Sequence, residues 1–410
     1  MTDPVRSQYE AYPYPARDPS DESKRLITGS PGHLDELNHY VFAGRLDFAR
    51  PFRVLVAGGG TGDGLIMLAQ QCADAGIPAD ITYLDLSEAA RAIAAARAEA
   101  RGLSSVHFVT GSLLAVERLA PGPFDYVDCC GVLHHLDDPP AGLTALADRL
   151  APDGGMGLML YGSHGRTGVY ALQGALRRLG AGLDDGDRVA LARRLLAHLP
   201  ETNWFRRNPL LQDHKASDAG LFDLLLHSRD RAYTVPELAA LVDGAGLAIT
   251  GLVPPLRYDP AAYLPDGRLR ARLAGLDPLD RAAVAEELTG AIKTHAFYVV
   301  RKGREADAVA RPDSPSAVPV LRDIDGRDLA RRIKPGQGLK AELPGLTGRL
   351  PLPPLAGAML ARIDGRRDLA ALRAELAEAR GGALAWTAFK GQFDQLYATL
   401  NGLGKLYLRY

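Results

Sequence analysis

From Arg53 to about Leu160, short apolar runs alternate with amphipathic stretches at a regular interval. RVLVA (53–57), ITYLD (81–85), VHFVT (106–110), FDYVDCC (124–130) and GMGLMLYG (155–162) have strand length and few polar positions, so they predict buried strands. SEAARAIAAARAEARG (87–102) and PPAGLTALADRLAPDGG (139–155) carry apolar residues at helical spacing. Such alternation predicts right-handed crossovers and a parallel sheet.

The flanks read differently. Residues 1–45 are polar and aromatic, with helical spacing in SKRLI (23–27) and HLDELNHYVFAG (33–44). Residues 165–245 read mostly as helices, as in DRVALARRLLAHL (187–199). LAITGLV (247–253) and THAFYVVRK (294–302) restore the strand pattern and predict an antiparallel pair completing the sheet. GREADAVARPDSPSAVP (303–319) has linker composition. Beyond it, 355–365, 368–381 and 386–404 predict three helices and KLYLRY a closing strand, a set resembling a winged-helix module over 320–410.

Composition narrows the class. The 410 residues exceed one ordinary core, and 47% hydrophobic with 24% charged is globular. A net charge of −1 makes no case for nucleic acid or membrane. The charge is uneven: 317–410 holds 15 Lys+Arg against 9 Asp+Glu, net +6, which leaves −7 elsewhere. The would-be recognition helix WTAFKGQFDQLYATLNG carries Lys390 alone, which disfavours DNA. Cys72, Cys129 and Cys130 suit neither a disulfide framework nor a zinc site, and no metal is expected. With no apolar leader and no run of eighteen apolar residues, a cytoplasmic location is expected.

The chemistry starts at VAGGGTGDG (56–64). A phosphate loop needs a Lys after its last glycine, and none follows. The dinucleotide fingerprint needs glycines at i, i+2 and i+5, and from Gly58 the third position is Asp63. What remains is G-x-G-x-G, filled by Gly58, Gly60 and Gly62 after a strand. Asp63 at a helix N-terminus favours a cationic or zwitterionic ligand, and Asp85 ends the second strand, where an acid grips two ribose hydroxyls. The ligand reads as a nucleoside without phosphates.

This combination resembles the class I S-adenosylmethionine-dependent methyltransferases over roughly 50–162 and 247–301. The resemblance implies an α/β fold with a doubly wound, seven-stranded Rossmann-like sheet. It divides the chain into an aromatic lid segment (1–45), a cofactor core (46–164), a helical insertion on the acceptor side (165–245) and the last strands (246–302). The linker (303–319) and the C-terminal unit (320–410) follow. It implies S-adenosylmethionine as cofactor, leaving as S-adenosylhomocysteine. Gly58, Gly60 and Gly62 would pass against its methionine and ribose, Asp85 would hold the ribose hydroxyls and Leu86 would pack on adenine. TGSLL (110–114) would place Gly111 and Ser112 beside the adenine amino group, where Asp is more usual. DCCGVLHHLDDP (128–139) would line the pocket through Cys130, Gly131 and His134. One departure stands out: Val56 occupies the position where the family often has an acid, so the amino group needs a carbonyl or Asp63 instead.

Two further segments concern the acceptor. SQYEAYPYP (7–15) sets Tyr9, Tyr12 and Tyr14 before the first strand, stiffened by two prolines. It either closes over the cofactor or merely packs on the domain. In LFDLLLHSRDRAYTVPEL, Asp223, His227 and Asp230 fall at i, i+4 and i+7, hence on one helical face, and a carboxylate beside an imidazole suits base work or acceptor binding. TVPEL then predicts a capping box. Together these segments resemble a bacterial group often fused to tetratricopeptide repeats and, more loosely, rickettsial protein-lysine methyltransferases. That implies a protein nitrogen as acceptor, with Tyr9, Tyr14, Asp223 and His227 as the catalytic set. The His134–His135 pair is an alternative, or packs against the cofactor. A homodimer through the insertion or the C-terminal unit is a further expectation. A small-molecule O- or N-methyltransferase and a cofactor-sensing regulator remain as alternatives.

Overall fold

A computed structural model describes residues 4–47, 49–334 and 336–410; residues 1–3, at the start of the expected lid segment, lie outside it, as do 48 and 335. Strands β1 (Phe52–Ala57), β2 (Ala79–Asp85), β3 (Val106–Thr110), β4 (Phe124–Cys130), β5 (Leu150–Tyr161), β6 (Leu247–Val253) and β7 (Thr294–Arg301) form one sheet in the order β3-β2-β1-β4-β5-β7-β6. The first five are parallel, and β7 runs antiparallel to both β5 and β6. The expected late pair thus completes the sheet, with β7 inserted between β5 and β6. Because both faces are covered, the strands read as continuous apolar runs: Leu55, Val127 and Leu158 pack on one side, Val54, Tyr126 and Tyr298 on the other.

The chain reverses direction of strand order between β1 and β4, where a doubly wound sheet opens a crevice at the strand ends. Helix α3 (Asp63–Asp74) follows β1, and α4 (Glu88–Ala100) follows β2 with Ser87 as N-cap. The N-terminal segment supplies α1 (Pro4–Ala11) and α2 (Leu34–Val41). Ser23–Ile27, expected to be helical, instead leaves a short turn at Pro19–Ser23 for irregular chain. There Glu22 is drawn inward to Arg97 and Arg101, a tertiary pairing that outweighs local spacing.

The insertion is helical as expected, with Val169–Leu179 and Asp185–Ala197 as its longest pieces. The single helical face through Asp223, His227 and Asp230 does not form. The helix widens into a π turn over Phe222–Leu226 and stops; His227 is extended at ψ 134°, and Asp230 lies in the loop beyond. The capping box of Thr234 and Glu237 does form.

In the C-terminal region the three expected helices are Ala356–Leu360, Leu369–Ala379 and Trp386–Gly402. Not expected were β8 (Val318–Leu321) and a hairpin of β9 (Leu339–Leu343) and β10 (Leu346–Leu350). The closing strand β11 (Leu406–Arg409) pairs antiparallel with β8, and the hairpin stands apart ahead of the three helices. Pro344-Gly345, with Gly345 at φ +78°, is the turn signal that marks the hairpin. Its tip packs against the end of the helix Pro278–Thr289, since a Cβ on Gly345 would sit 2.1 Å from Thr289 Oγ1.

Nor is 303–319 a free linker in this fold. Ala308 packs with the sheet, Ala310 and Ala317 pack with the C-terminal helices, and Ala310 N–H donates to His39 O at 2.8 Å. A second tie is buried: Glu36 of α2 accepts from Tyr298 (2.8 Å), Ser30 (2.9 Å), Arg322 (2.6 Å) and Tyr407 (2.6 Å). A carboxylate so desolvated is stable only because each oxygen is met by charge or hydroxyl, and two of those donors come from the C-terminal region. Among the described residues no helix is long and apolar enough to cross a membrane.

Candidate active site

A cavity of about 330 Å³ opens at the C-terminal ends of β1, β2, β4 and β5. Its floor is the turn after β1. Gly58 holds φ +69° and donates to Leu84 O at 2.7 Å; a Cβ there would lie 2.3 Å from Val132. Gly60, at φ +52°, donates its N–H to Asp85 Oδ2 at 2.8 Å, and its carbonyl accepts from Tyr83 at 2.6 Å. The two glycines therefore shape a backbone cradle that side chains would fill. Gly62 does another job: it is the left-handed N-cap of α3, and a Cβ there would press on Ala94 of α4 at 3.0 Å.

Asp85 accepts from Ser87 N–H (2.8 Å) as well as from Gly60. Burial raises its carboxyl, and the N–H groups of Ser87, Gly60 and Leu86 partly offset that. Leu86, Gly111, Ser112, Cys130 and Gly131 all line the cavity. Burial first, and the neighbouring Asp128 next, raise the Cys130 thiol, so it is no nucleophile.

Asp63 also reaches the cavity, but its charge is already answered. Arg17 holds it through Nε (2.8 Å) and Nη2 (2.5 Å), and buried Arg97 through Nη1 (2.8 Å). Burial alone would raise this carboxyl; Arg17 and then Arg97 outweigh it and hold it below the usual range. The carboxylate expected to stand in for an acid at Val56 is thus spent on tying the N-terminal arm to α3.

A different acid occupies the space. In the parallel register Val56 lies opposite Asp128 of β4, so both side chains leave the sheet on the same face. Asp128 lines the cavity and is buried beneath two glycines, whose Cβ positions would fall 3.2 Å (Gly64) and 2.7 Å (Gly32) from its oxygens. Burial pushes its carboxyl up to about 7, against the pull of hydrogen bonds from Cys130 and Tyr126. No arginine or lysine pairs with it among the described residues. The two strands and their parallel sense were legible in the sequence, but their pairing and register were not, and these identify Asp128.

The acceptor side is made of side chains. Helix α1 lies against α4, where Glu10 caps Glu88 N–H (2.7 Å) and Ala89 N–H (3.1 Å). Beyond it, Thr61 holds Pro15 O at 2.7 Å and Tyr12 stacks on Phe222 at 4.9 Å. This arm brings Tyr9 and Tyr14 into the cavity wall with Asp223 of the insertion. Tyr9 donates to Asp223 Oδ1 at 3.1 Å, and Tyr161 of β5 donates to Oδ2 at 2.9 Å. Burial raises all three: the Asp223 carboxyl and the Tyr9 and Tyr161 phenols. Tyr161 is itself braced by the Arg166 guanidinium, 3.7 Å above its ring, and Arg166 pairs with Asp230 at 2.8 Å. Asp230 therefore turns away from the cavity, toward Arg166 and Gln173.

His227 stands behind Tyr9, with Nε2 3.2 Å from its hydroxyl, and is not on the cavity wall. Burial and then His135 pull its pKa down to about 2. His134 is likewise buried and off the wall, stacked on Tyr161 at 3.8 Å, with both ring nitrogens unpartnered. The wall position expected for His134 belongs to His135. The reason is the short 3₁₀ turn Leu133–His135, which points successive side chains in different directions. Tyr161 and Arg229 on the cavity wall, and Arg166 behind Tyr161, were missed as site residues. The segments that hold them do not mark them, and only the tertiary fold brings them together.

Comparison with known proteins places the chain. A methyltransferase domain model matches residues 55–156. An uncharacterized protein of Synechococcus sp. is 32% identical over 315 residues, covering 73% of this chain and 72% of that protein. The PKMT2 structure from Rickettsia typhi shares the fold over 97% of this chain and 75% of its own, at 15% identity and TM-score 0.59. Its complex with S-adenosylhomocysteine superposes at TM-score 0.57, with 16% identity over 97% of this chain and 76% of that one.

Proposed function

The chain belongs to the class I S-adenosylmethionine-dependent methyltransferases, and we propose that its methyl acceptor is an amine on a protein side chain, lysine above all. One observation carries this reading: the buried Asp223 carboxylate among the phenols of Tyr9, Tyr14 and Tyr161 on the acceptor wall. A carboxylate and aromatic faces draw an ammonium out of water, whereas an alcohol gains little from either. The sequence motifs that resemble rickettsial protein-lysine methyltransferases support the same reading, as does the fold shared with PKMT2.

The cavity fits the cofactor. Gly58 and Gly60 leave the backbone cradle open, Asp85 offers carboxylate oxygens for ribose hydroxyls, and Leu86, Gly111 and Ser112 would flank adenine. Asp128 would hold the amino group. When bound, S-adenosylmethionine supplies an electrophilic methyl on a sulfonium. The protein's own work is alignment of the acceptor, exclusion of water by the Tyr9–Tyr14 arm, and removal of a proton from an ammonium whose free pKa is ~10.4. Asp223 draws that ammonium in but also steadies its proton, so the proton needs another destination.

A second reading, a small amine or phenol, is favoured by the closure of the arm, which Glu10, Thr61 and Arg17 all hold down. Methyl-labelled S-adenosylmethionine incubated with the protein and a lysate divided into protein, nucleic-acid and small-molecule fractions separates the two. Label in protein that hydrolyses to methylated lysine is expected. Label confined to small molecules would overturn the protein reading.

A further inference from the structure

Two stacked imidazoles share the backbone groups of one residue in this site. The rings of His135 and His227 lie 3.8 Å apart at 16°, and both face Arg229. Arg229 N–H donates to His227 Nδ1 at 3.0 Å, so that nitrogen carries a lone pair and the proton of the neutral ring is on Nε2. This Nε2–H points at Tyr9 Oη, whose own proton goes to Asp223. Arg229 O, in contrast, accepts from His135 Nδ1–H at 2.8 Å. The second ring therefore has the opposite tautomer, and its Nε2 is a bare lone pair. His135 lines the cavity, and its Nε2 has no partner among the described residues.

We propose that His135 Nε2 is the base that takes the proton of the acceptor ammonium, and that His227 is a positioning residue fixed as a donor. The inference rests on the amine reading above. The N–H bond of the ammonium breaks, its electron pair stays on nitrogen, and the proton bonds to Nε2. The imidazolium so formed keeps Nδ1–H on Arg229 O. It also lies near Asp223, since one ring nitrogen each of His135 and His227 and a carboxylate oxygen of Asp223 fall within 4.8 Å of one another. Those three groups could be read as a cation site, but the proton on His227 Nε2 opposes that. Asp223 is the poorer base because both its oxygens already accept a phenol O–H. The other groups facing His135 are Tyr9 from α1, Tyr161 from β5 and His134 from its own turn. Arg229, whose backbone bonds to one nitrogen of each ring, is itself neutralised by Asp137 at 2.6 Å.

Two measurements test this. Long-range proton–nitrogen correlation on cofactor-free protein labelled at histidine nitrogen, assigned with His135→Gln and His227→Gln, should show opposite tautomers. Finding His135 as the Nε2–H form overturns the assignment. In transfer to a lysine-bearing acceptor, His135→Gln should lose about 100-fold or more at neutral pH. It should then recover roughly tenfold per pH unit toward the free-amine range near ~10.4. Its affinity for S-adenosylhomocysteine, by calorimetry, should stay within about threefold of the parent. His227→Gln can still donate to Tyr9 and should keep the parent's pH dependence. Wild-type transfer by His135→Gln would sink the inference and leave the amine reading standing. Failure of the parent to label any protein amine would remove that reading and this role together.

Discussion

On the cofactor side of the cavity the groups come from one stretch of chain and act largely through the backbone: Gly58 and Gly60 in one turn, Asp85 ending the next strand, held by Gly60 and Ser87 N–H. On the acceptor side each group is a side chain, and the partners are far apart in sequence. Tyr9 and Asp223 are separated by 214 residues, Tyr9 and His227 by 218, Tyr161 and Asp223 by 62. A turn that positions backbone amides is set by local conformation, whereas a cage of phenols around a carboxylate exists only once the arm, the sheet and the insertion have packed. The two sides should therefore respond to substitution in different ways: the first in cofactor affinity, the second in transfer.

The sharpest break should come at Asp85. Asp85→Ala removes the oxygens offered to the ribose and leaves Gly60 N–H unpaired in the turn. Hydrogen bonds to a charged group contribute roughly 1.5–3 kcal/mol each, so two of them lost should weaken S-adenosylhomocysteine binding about 100-fold or more. Titration calorimetry reads this directly, and an affinity within a few-fold of the parent would remove Asp85 from the nucleoside site.

Asp223→Asn should do the reverse. It keeps the size of the side chain and an acceptor oxygen for the phenols, but removes the charge that draws an ammonium. Transfer to lysine should fall about 100-fold at saturating cofactor, with cofactor affinity unchanged within about threefold. Equal losses in both would erase the division between the two sides.

The same division explains what could be read from the chain beforehand. The seven strands, their parallel and antiparallel sense, the G-x-G-x-G turn and Asp85 all follow from patterns a few residues long; the structure forms those strands and sets Gly58, Gly60 and Asp85, though not Gly62, on the cavity wall. The errors fall where distant contacts override local spacing. Ser23–Ile27 is not a helix because Glu22 is claimed by Arg97 and Arg101. The Asp223–Asp230 stretch is not one helical face because Arg166 captures Asp230 while the backbone of Arg229 bonds to two histidines. Asp63 had the right charge in the right place, yet Arg17 and Arg97 consume it. Arg17 lies 46 residues before it, in a stretch with no pattern of its own.

The smallest effect should come from Asp128, and it tests whether the cofactor side is as backbone-made as it looks. Its carboxyl is pushed up to about 7 by burial, above the ~3.9 of an unfolded chain. A carboxyl whose folded pKa is raised gives its full stabilisation below ~3.9 and loses it as pH rises through about 7, because the charged form is then buried without a partner. The cofactor's ammonium is such a partner. Cofactor-free protein should therefore lose stability between pH ~4 and about 7, while affinity for S-adenosylhomocysteine rises by about tenfold as Asp128 ionises through the same upper range. Asp128→Asn should flatten both slopes and bind roughly tenfold more weakly above that range, less than the loss expected for Asp85→Ala. Calorimetry in buffers of different ionisation heat would also show a proton released on binding by the parent near pH 7 and not by the variant. If affinity is flat with pH in the parent, or still rises in Asp128→Asn, the amino group is held by backbone carbonyls instead. Asp128 would then be a buried acid whose neutral form packs beneath Gly32 and Gly64, and the cofactor side would be made of backbone almost throughout.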